Sequence, residues 1–411
     1  MEYSNASLIM FYVLLFVILT IETQSIEGGK ANTSEKEDRE LTKQLRILNK
    51  KPIKIITTKF GDTIDCIDIY KQPAFDHPLL KDHKIQMVPS SISEETTSKN
   101  ISSTIFRGSN IDTGFQNERC PPETVPMRRT RKQDLINARY LMQKTNSIHT
   151  NYYTLSPMNY HFVSVEEFSE GKKYFGSAAW MSVHGFELNY EQFSTAQIWV
   201  QNGPAEKINS IEFGWMIYPG LFGDTHTRVF AYWTADGYKQ TGCFNTYCPG
   251  FVQVSRDLYI GARINPVFVY GKNPMALPFK VYRDLKTGNW WLIINDITVG
   301  YWPKEIFTHL ADNALTVRYG GIAGNEPQAP APPMGNRYLP QLQDYSKTAF
   351  MTRMMYVDEK GKIVDINPDN IQTKRNTTLD SYDILFAGNI GGEYDITMAF
   401  GGPGVYVSLE H

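Results

Sequence analysis

From about residue 170 onward the chain breaks into short runs of β-branched and aromatic residues separated by turn residues. Ala196–Val200, Arg228–Trp233, Phe251–Ser255 and Trp290–Ile294 are such runs, and Asn202-Gly203, Asp236-Gly237 and Gly288-Asn289 punctuate them. Frequent short strands with glycine-containing turns predict an all-β sandwich. The aromatic share of 13%, with 24 Tyr and 7 Trp, suits β-structure and aromatic-lined clefts. Lys304–Ala314 is the one stretch here expected to form a helical turn or a short helix. No internal repeat recurs at a fixed period.

The N-terminal part has a different texture. Met10–Ile21 is apolar but short for a spanning helix, and Glu22-Thr23-Gln24-Ser25 follows. It reads as a secretory signal peptide over residues 1–25, although no Lys or Arg precedes it. The expected location is therefore secreted or extracellular, with the vacuole and the cell wall as further destinations. Leu41, Leu45, Ile47 and Leu48 mark a short amphipathic helix. Ile53–Thr58 and Thr63–Tyr70 read as a hairpin around Gly61-Asp62. Residues 89–118 and 141–165 are polar and read as linkers. Arg128–Lys132 reads as the solvated start of a helix, with a processing site or a docking patch as the alternative. A smaller α+β region over residues 26–150 is thus expected before a β-sandwich over residues 165–411.

The chain's 411 residues carry a net charge of only −2. Nothing in that balance implies nucleic acid or an anionic membrane as a partner. The dispersed His161, His184 and His226 lack metal-ligand spacing, so no metal site is expected. Ser177 and Ser255 lack a nucleophile-elbow context. Four cysteines fit an oxidising compartment. Cys243 and Cys248 are close enough for a tight-loop disulfide, leaving Cys66 and Cys120 to pair, though four cysteines allow three connectivities. Glycosylation sequons stand at Asn32, Asn100 and Asn376.

The residue most suggestive of chemistry is Glu212, inside the run Ser210-Ile211-Glu212-Phe213-Gly214-Trp215-Met216-Ile217-Tyr218. A carboxyl among such neighbours is protonated, paired or exposed for use. A raised pKa suits acid–base work, while a structural Glu paired to a nearby Arg or Tyr is the plainer alternative. On a strand, Glu212, Gly214 and Met216 share one face, and the glycine leaves room for a substrate backbone.

Several long strings resemble the plant neprosin family. Asp65–Leu80 and Cys120–Arg129 are similar to its activation peptide. Gln197–Val200, Ile211–Trp215, Tyr232–Tyr238, Thr241–Cys243, Cys248–Gln253, Gly288–Trp291 and Gly300–Pro303 are similar to its catalytic domain. The resemblance implies a glutamic peptidase with an antiparallel β-sandwich catalytic domain that cleaves after proline in acid, without metal or cofactor. It also implies a pro-domain that blocks the cleft until removed. The expected partners are a peptide or protein, Pro-rich by analogy, and the chain's own pro-domain.

The family chemistry requires two glutamates, one to take a proton from water and one to donate to the amide. Glu212 matches the first. The second follows a Gly-Gly pair in the family, but the matching string here is Tyr319-Gly320-Gly321-Ile322. Ile322 can neither give nor accept a proton. Glu326 lies four residues further on, too displaced for catalytic geometry. Loss of one member of such a pair commonly costs several orders of magnitude in rate. The chain is therefore expected to have weak or absent peptidase activity, or to be an inactive relative that binds Pro-containing peptides or carbohydrate. The family's C-terminal disulfide is also missing, since Ser381-Tyr382 and Gly401–Tyr406 contain no cysteine.

Overall fold

A computed structural model describes residues 35–90, 111–115, 118–139, 158–167, 170–327 and 329–404. The expected signal peptide, Asn32 and Asn100 lie outside these residues. The chain divides into residues 1–47 and 48–411. In the first unit residues 35–47 are helical, with Arg39 and Glu35 paired one turn apart.

The second unit begins with three antiparallel strands, β1 (Lys54–Thr57), β2 (Thr63–Asp68) and β3 (Thr124–Arg128), in the order β1-β2-β3. Gly61 makes the β1–β2 turn with φ 88°, a conformation that suits glycine. Cys66 on β2 is bonded to Cys120. A helix over residues 132–139 follows.

Sixteen further strands build the sandwich. They are β4 (Asn159–Glu167), β5 (Gly176–Ser182), β6 (Gln192–Asn202), β7 (Asn209–Ile217), β8 (Arg228–Thr234), β9 (Cys243–Phe244), β10 (Val252–Gln253) and β11 (Ala276–Arg283). After them come β12 (Trp290–Ile294), β13 (Ile297–Trp302), β14 (Thr316–Asn325), β15 (Ala349–Val357), β16 (Ile363–Asp365), β17 (Ile371–Arg375), β18 (Asp383–Asn389) and β19 (Ile396–Gly401). One sheet has seven strands in the order β17-β4-β14-β6-β7-β8-β9. The other has nine, in the order β10-β13-β12-β11-β5-β15-β19-β18, with β16 on β15. Every ladder between named strands is antiparallel.

Period-two alternation assigns the faces. Ile211, Phe213, Trp215 and Ile217 of β7 and Ala196, Ile198 and Val200 of β6 point into the core. There they join Ala179, Met181, Phe279, Val281, Leu292, Met351, Met398 and Phe400 of the large sheet. Glu212 and its period-two neighbours consequently occupy the outer face of the seven-stranded sheet. Cys243 and Cys248 form the second disulfide.

Two local expectations are corrected and one is narrowed. Residues 159–165, expected within a linker, belong to the strand Asn159–Glu167 between β14 and β17. Of the helical turn or short helix expected over Lys304–Ala314, Lys304–Ile306 makes a 3-10 turn, and Phe307 is extended. The reason is Asn209, whose side-chain oxygen accepts the backbone N–H groups of Thr308 (2.8 Å), His309 (2.9 Å) and Leu310 (3.2 Å). Those donors leave the loop wrapped around one amide rather than coiled on itself. The basic run at 128–132 does precede a helix, but Arg128 is not solvated. It bridges Asp62 (3.0 Å), Asp134 (3.5 Å) and the Phe222 carbonyl (2.9 Å).

Asp62 also pairs with Arg228 of β8 through two contacts of 3.0 and 3.1 Å. Arg228 is 1% exposed and holds Asp224 and the Gly261 carbonyl as well. Burial alone would raise the Asp62 pKa, but the two guanidinium groups outweigh it and hold the carboxyl below its ordinary value.

Candidate functional site

Residues paired across an antiparallel ladder point to the same face, so the register maps the outer surface row by row. One row runs Gln372, Glu166, Arg318, Trp199, Glu212, Tyr232 and Phe244 from β17 to β9. The adjacent row runs Lys374, Ser164, Gly320, Gln197, Gly214 and Phe230. Next comes a row with Phe162, Ile322, Thr195, Met216 and Arg228. Glu212 and Ile322 therefore share one face, separated by β6, and Gln197 stands on the diagonal between them.

Gln197 is flanked in its row by Gly320 and Gly214. A Cβ at Gly214 would run into the Ala196 carbonyl, and one at Gly320 into the Val163 carbonyl. Both positions require glycine for close backbone approach. Gln197 therefore has no side chain beside it in its row, and we call this glycine-flanked strip, with Glu212 on one side and Ile322 on the other, the trough.

Glu212 is 8% exposed. Its Oε1 accepts from the Tyr238 hydroxyl (2.6 Å) and the Ser210 hydroxyl (3.3 Å), and its Oε2 from Gln197 Nε2 (2.7 Å). Burial pushes its pKa up. The hydrogen bonds from Tyr238, Gln197 and Ser210 and the charge of Arg318 pull back without cancelling the rise. Burial and the Glu212 carboxyl together push the Tyr238 phenol well above its usual value, so it serves as a neutral donor. Gln201 Nε2 donates to Ser210 (3.1 Å), extending the network.

The Asp236-Gly237 turn positions Tyr238. Gly237 has φ 75° and Tyr238 has φ 63°, a left-handed conformation that is uncommon for an aromatic residue. The Asp236 carboxylate holds the turn by accepting from the backbone of Lys239, Gln240 and Thr241 at 2.9–3.1 Å. The Tyr238 N–H is held by Thr234 Oγ1 at 3.0 Å. The turn was legible in the sequence; its delivery of a phenol to Glu212 was not. Ser210 could have been found by alternation, since it lies two residues before Glu212, whereas Gln197 needed the register between β6 and β7.

Among the hydrogen bonds and ion pairs of the described residues, no second carboxyl reaches Glu212. Ile322 is half-buried, and its N–H donates to Thr195 Oγ1 at 3.0 Å. Glu326 lies beyond the end of β14, on the side of Ile322 away from the Glu212 row. The nearest charges in the row are paired with each other. Arg318 contacts Glu166 at 2.8 Å, and Lys374 contacts the same oxygen at 2.9 Å. Among the described residues no three His, Cys, Asp or Glu side chains form a metal-sized group.

The remaining candidates are placed elsewhere. Ser177 bonds Tyr319 at 2.8 Å inside the core. His184 bonds Ser182 at 2.9 Å and is held neutral by burial, which depresses its pKa to about 3. Asn376 is exposed, but its Nδ2 donates to the Tyr160 carbonyl (2.8 Å) and its Oδ1 accepts from Phe162 N (2.7 Å). Trp290 and Trp291 are both fully buried and face opposite sides of the large sheet.

As chemistry, the trough offers one protonation-prone carboxyl fixed by neutral donors. It can hold one proton at a defined place. A paired acid for the opposite end of an amide hydrolysis is not among the groups contacting it.

Comparison with known proteins yields distant structural likenesses. Scytalido-glutamic peptidase, solved with a peptide-based transition state analog, is 11% identical and covers 59% of this chain and 97% of its own, with a TM-score of 0.32. SCP-B, a member of the Eqolisin family solved with the tripeptide Ala-Ile-His, is 9% identical with coverage of 59% and 96% and a TM-score of 0.30. A Bacteroides ovatus GH16 protein is 10% identical with coverage of 40% and 68% and a TM-score of 0.25. The family comparison is direct: the Neprosin model matches residues 190–403, and the Neprosin activation peptide model matches residues 55–173. With the activation peptide segment preceding the Neprosin segment, and the latter spanning more than half of its length, the chain belongs to the neprosin family.

Proposed function

We propose that this chain is a secreted neprosin-family protein whose trough binds extended peptides, Pro-containing ones foremost, while hydrolysis after proline is lost or greatly slowed. In this reading residues 26–150 are the activation region, residues 165–411 the peptidase domain, and Glu212 the surviving member of the catalytic pair. Ile322 occupies the place of the second. The observation that carries the reading is the pairing of an isoleucine at 322 with a Glu212 whose direct partners are Gln197, Ser210 and Tyr238. Amide hydrolysis needs a proton accepted at one point and another donated at a second. Gln197 and Ser210 have no readily transferable proton in acid, and Tyr238 is a very weak acid here.

The test is incubation of the full-length protein at about pH 3–5, where carboxyl pairs share a proton. A Pro-containing peptide should bind without being cleaved above the background of a Glu212→Gln control. Robust turnover in the unaltered protein, abolished in that control, would sink the reading.

A further inference from the structure

The β10–β13 part of the outer face of the nine-stranded sheet is covered by the protein's own segment Gln72–Ser90. Val252, Val254, Tyr282, Trp291, Ile293 and Tyr301 form an apolar face there, and Ala74, Phe75 and Ile85 pack on it. The polar contacts are more selective than the apolar ones. The Gln86 carboxamide has two donors and two acceptor positions. Its Nε2 donates to Asp284 Oδ2 (2.7 Å) and Ser90 Oγ (3.1 Å). Its Oε1 accepts from Thr287 Oγ1 (3.0 Å) and Asn289 Nδ2 (2.9 Å). Its backbone N–H donates to the Tyr301 hydroxyl at 3.0 Å, and that hydroxyl lies 2.8 Å from His83 Nε2.

A second glutamine behaves the same way. Gln72 is buried, and its amide binds both backbone groups of Gln253 at the sheet edge. Its Oε1 accepts from Gln253 N (2.8 Å), and its Nε2 donates to Gln253 O (3.1 Å). One side chain thus stands in for a neighbouring strand at β10.

The receiving residues are prepared by the sandwich alone. Asp284 Oδ1 accepts from Lys286 N at 2.9 Å, Asp284 N bonds Asn289 O at 2.8 Å, and Asn289 Oδ1 accepts from Lys304 N at 3.3 Å. The turn after β11 is therefore built before anything docks on it. A carboxylate in place of the Gln86 amide would face Asp284 and lose two donors. Meanwhile Trp291 Nε1 and Tyr282 Oη are buried in this region without a hydrogen-bond partner among the described residues. Both would regain water on release, which favours reversible docking over permanent burial.

We propose that this face is a peptide-recognition site, distinct from the Glu212 trough, that reads paired glutamine side chains and takes residues 69–90 as a separable ligand. It binds that segment in trans when the intramolecular copy is displaced. This inference does not depend on whether the trough hydrolyses anything.

The test uses full-length Gln86→Glu protein and a fluorescent synthetic peptide of residues 69–90 with the native Gln86. Hydrogen exchange at residues 83–90 should rise in the variant relative to the unaltered protein. Unchanged protection would overturn the reading of Gln86. The native-sequence peptide should bind the variant saturably, and at least tenfold more weakly to the unaltered protein, whose site is filled at high effective concentration. A peptide carrying Glu at position 86 should bind the variant at least tenfold more weakly than the native one. Equal binding of the two peptides would remove the role of Asp284. Lost protection with no peptide binding would show that the segment is not separable. If Gln86→Glu does not fold, Gln86→Ala serves in the same measurements with the same expected ranking of peptides.

Discussion

The two outer faces of the sandwich bury polar chemistry by opposite means. On the seven-stranded sheet, Glu212 is surrounded by donors from its own domain: Gln197 from β6, Ser210 from β7 and Tyr238 from the turn after β8. On the nine-stranded sheet, Asp284, Thr287 and Asn289 present groups that are matched by Gln86 of the activation region. Around Glu212 the first face is supplied wholly from within the sandwich. The second is complete only with the segment in place. A buried carboxyl supplied from within keeps its geometry whatever happens to the pro-region, whereas a face supplied from outside records whether that region is present.

The most severe test of the contrast is to give the trough a second acid. Ile322→Glu should raise turnover of a Pro-containing peptide at acid pH by about 10²–10⁴-fold, the usual contribution of a positioned acid or base. No gain in a folded variant would mean that position 322 is not the vacant half of a catalytic pair.

Next in size is the seam between activation region and sandwich. Asp62→Ala leaves Arg228 buried with one carboxylate fewer, and should destabilise the protein by about 3–5 kcal/mol in chemical denaturation. Because the Asp62 pKa is held down, its contribution is present above the ordinary carboxyl range and lost as pH falls below it. An Asp62→Ala protein as stable as the parent would show that Asp224 alone suffices for Arg228.

A smaller effect is expected within the trough. Tyr238→Phe removes the shortest hydrogen bond to Glu212 and should raise its pKa further, at a cost of about 1.5–3 kcal/mol to the ionised form. Carboxyl-labelled NMR titration reads the shift directly. An unchanged titration would assign the control of Glu212 to Gln197 and Ser210.

The smallest effect should appear on the other face. Burial holds the His83 pKa below its ordinary value, against an opposing pull from Glu305. The folded pKa is the lower one, so the His83 contribution is full above about pH 6.5 and fades as pH falls through the folded value. Hydrogen exchange at 83–90 should quicken in mild acid, and His83→Gln should flatten that dependence. The same pH profile in the variant would place the acid sensitivity elsewhere.

Much of this architecture was legible in residue order. Alternation in Ser210–Tyr218 puts Glu212 opposite the core residues, and the turn dipeptides bracket strands that pair antiparallel. What alternation does not carry is register. Gln197 meets Glu212 only because β6 and β7 pair with Gln197 opposite Gly214. Tyr238 arrives through a left-handed backbone residue, for which an aromatic side chain gives no warning. The stretch after Pro303 has helical composition, yet Asn209, some hundred residues earlier, captures its amides. Arg128 looked like part of a solvated charge run because its acidic partners, Asp62 and Asp134, lie on other elements. Each miss is a contact between segments distant in sequence or joined by an unusual backbone angle.

The sulfur bridge from Cys66 to Cys120 has a further consequence. The stretch resting on the large sheet falls between those two residues. A nick anywhere from residue 67 to residue 119 severs the backbone but leaves both fragments in one covalent molecule. Maturation by a single cut in that interval would therefore pass unseen on a non-reducing gel, and shedding of the fragment would await a reductant or a second cut.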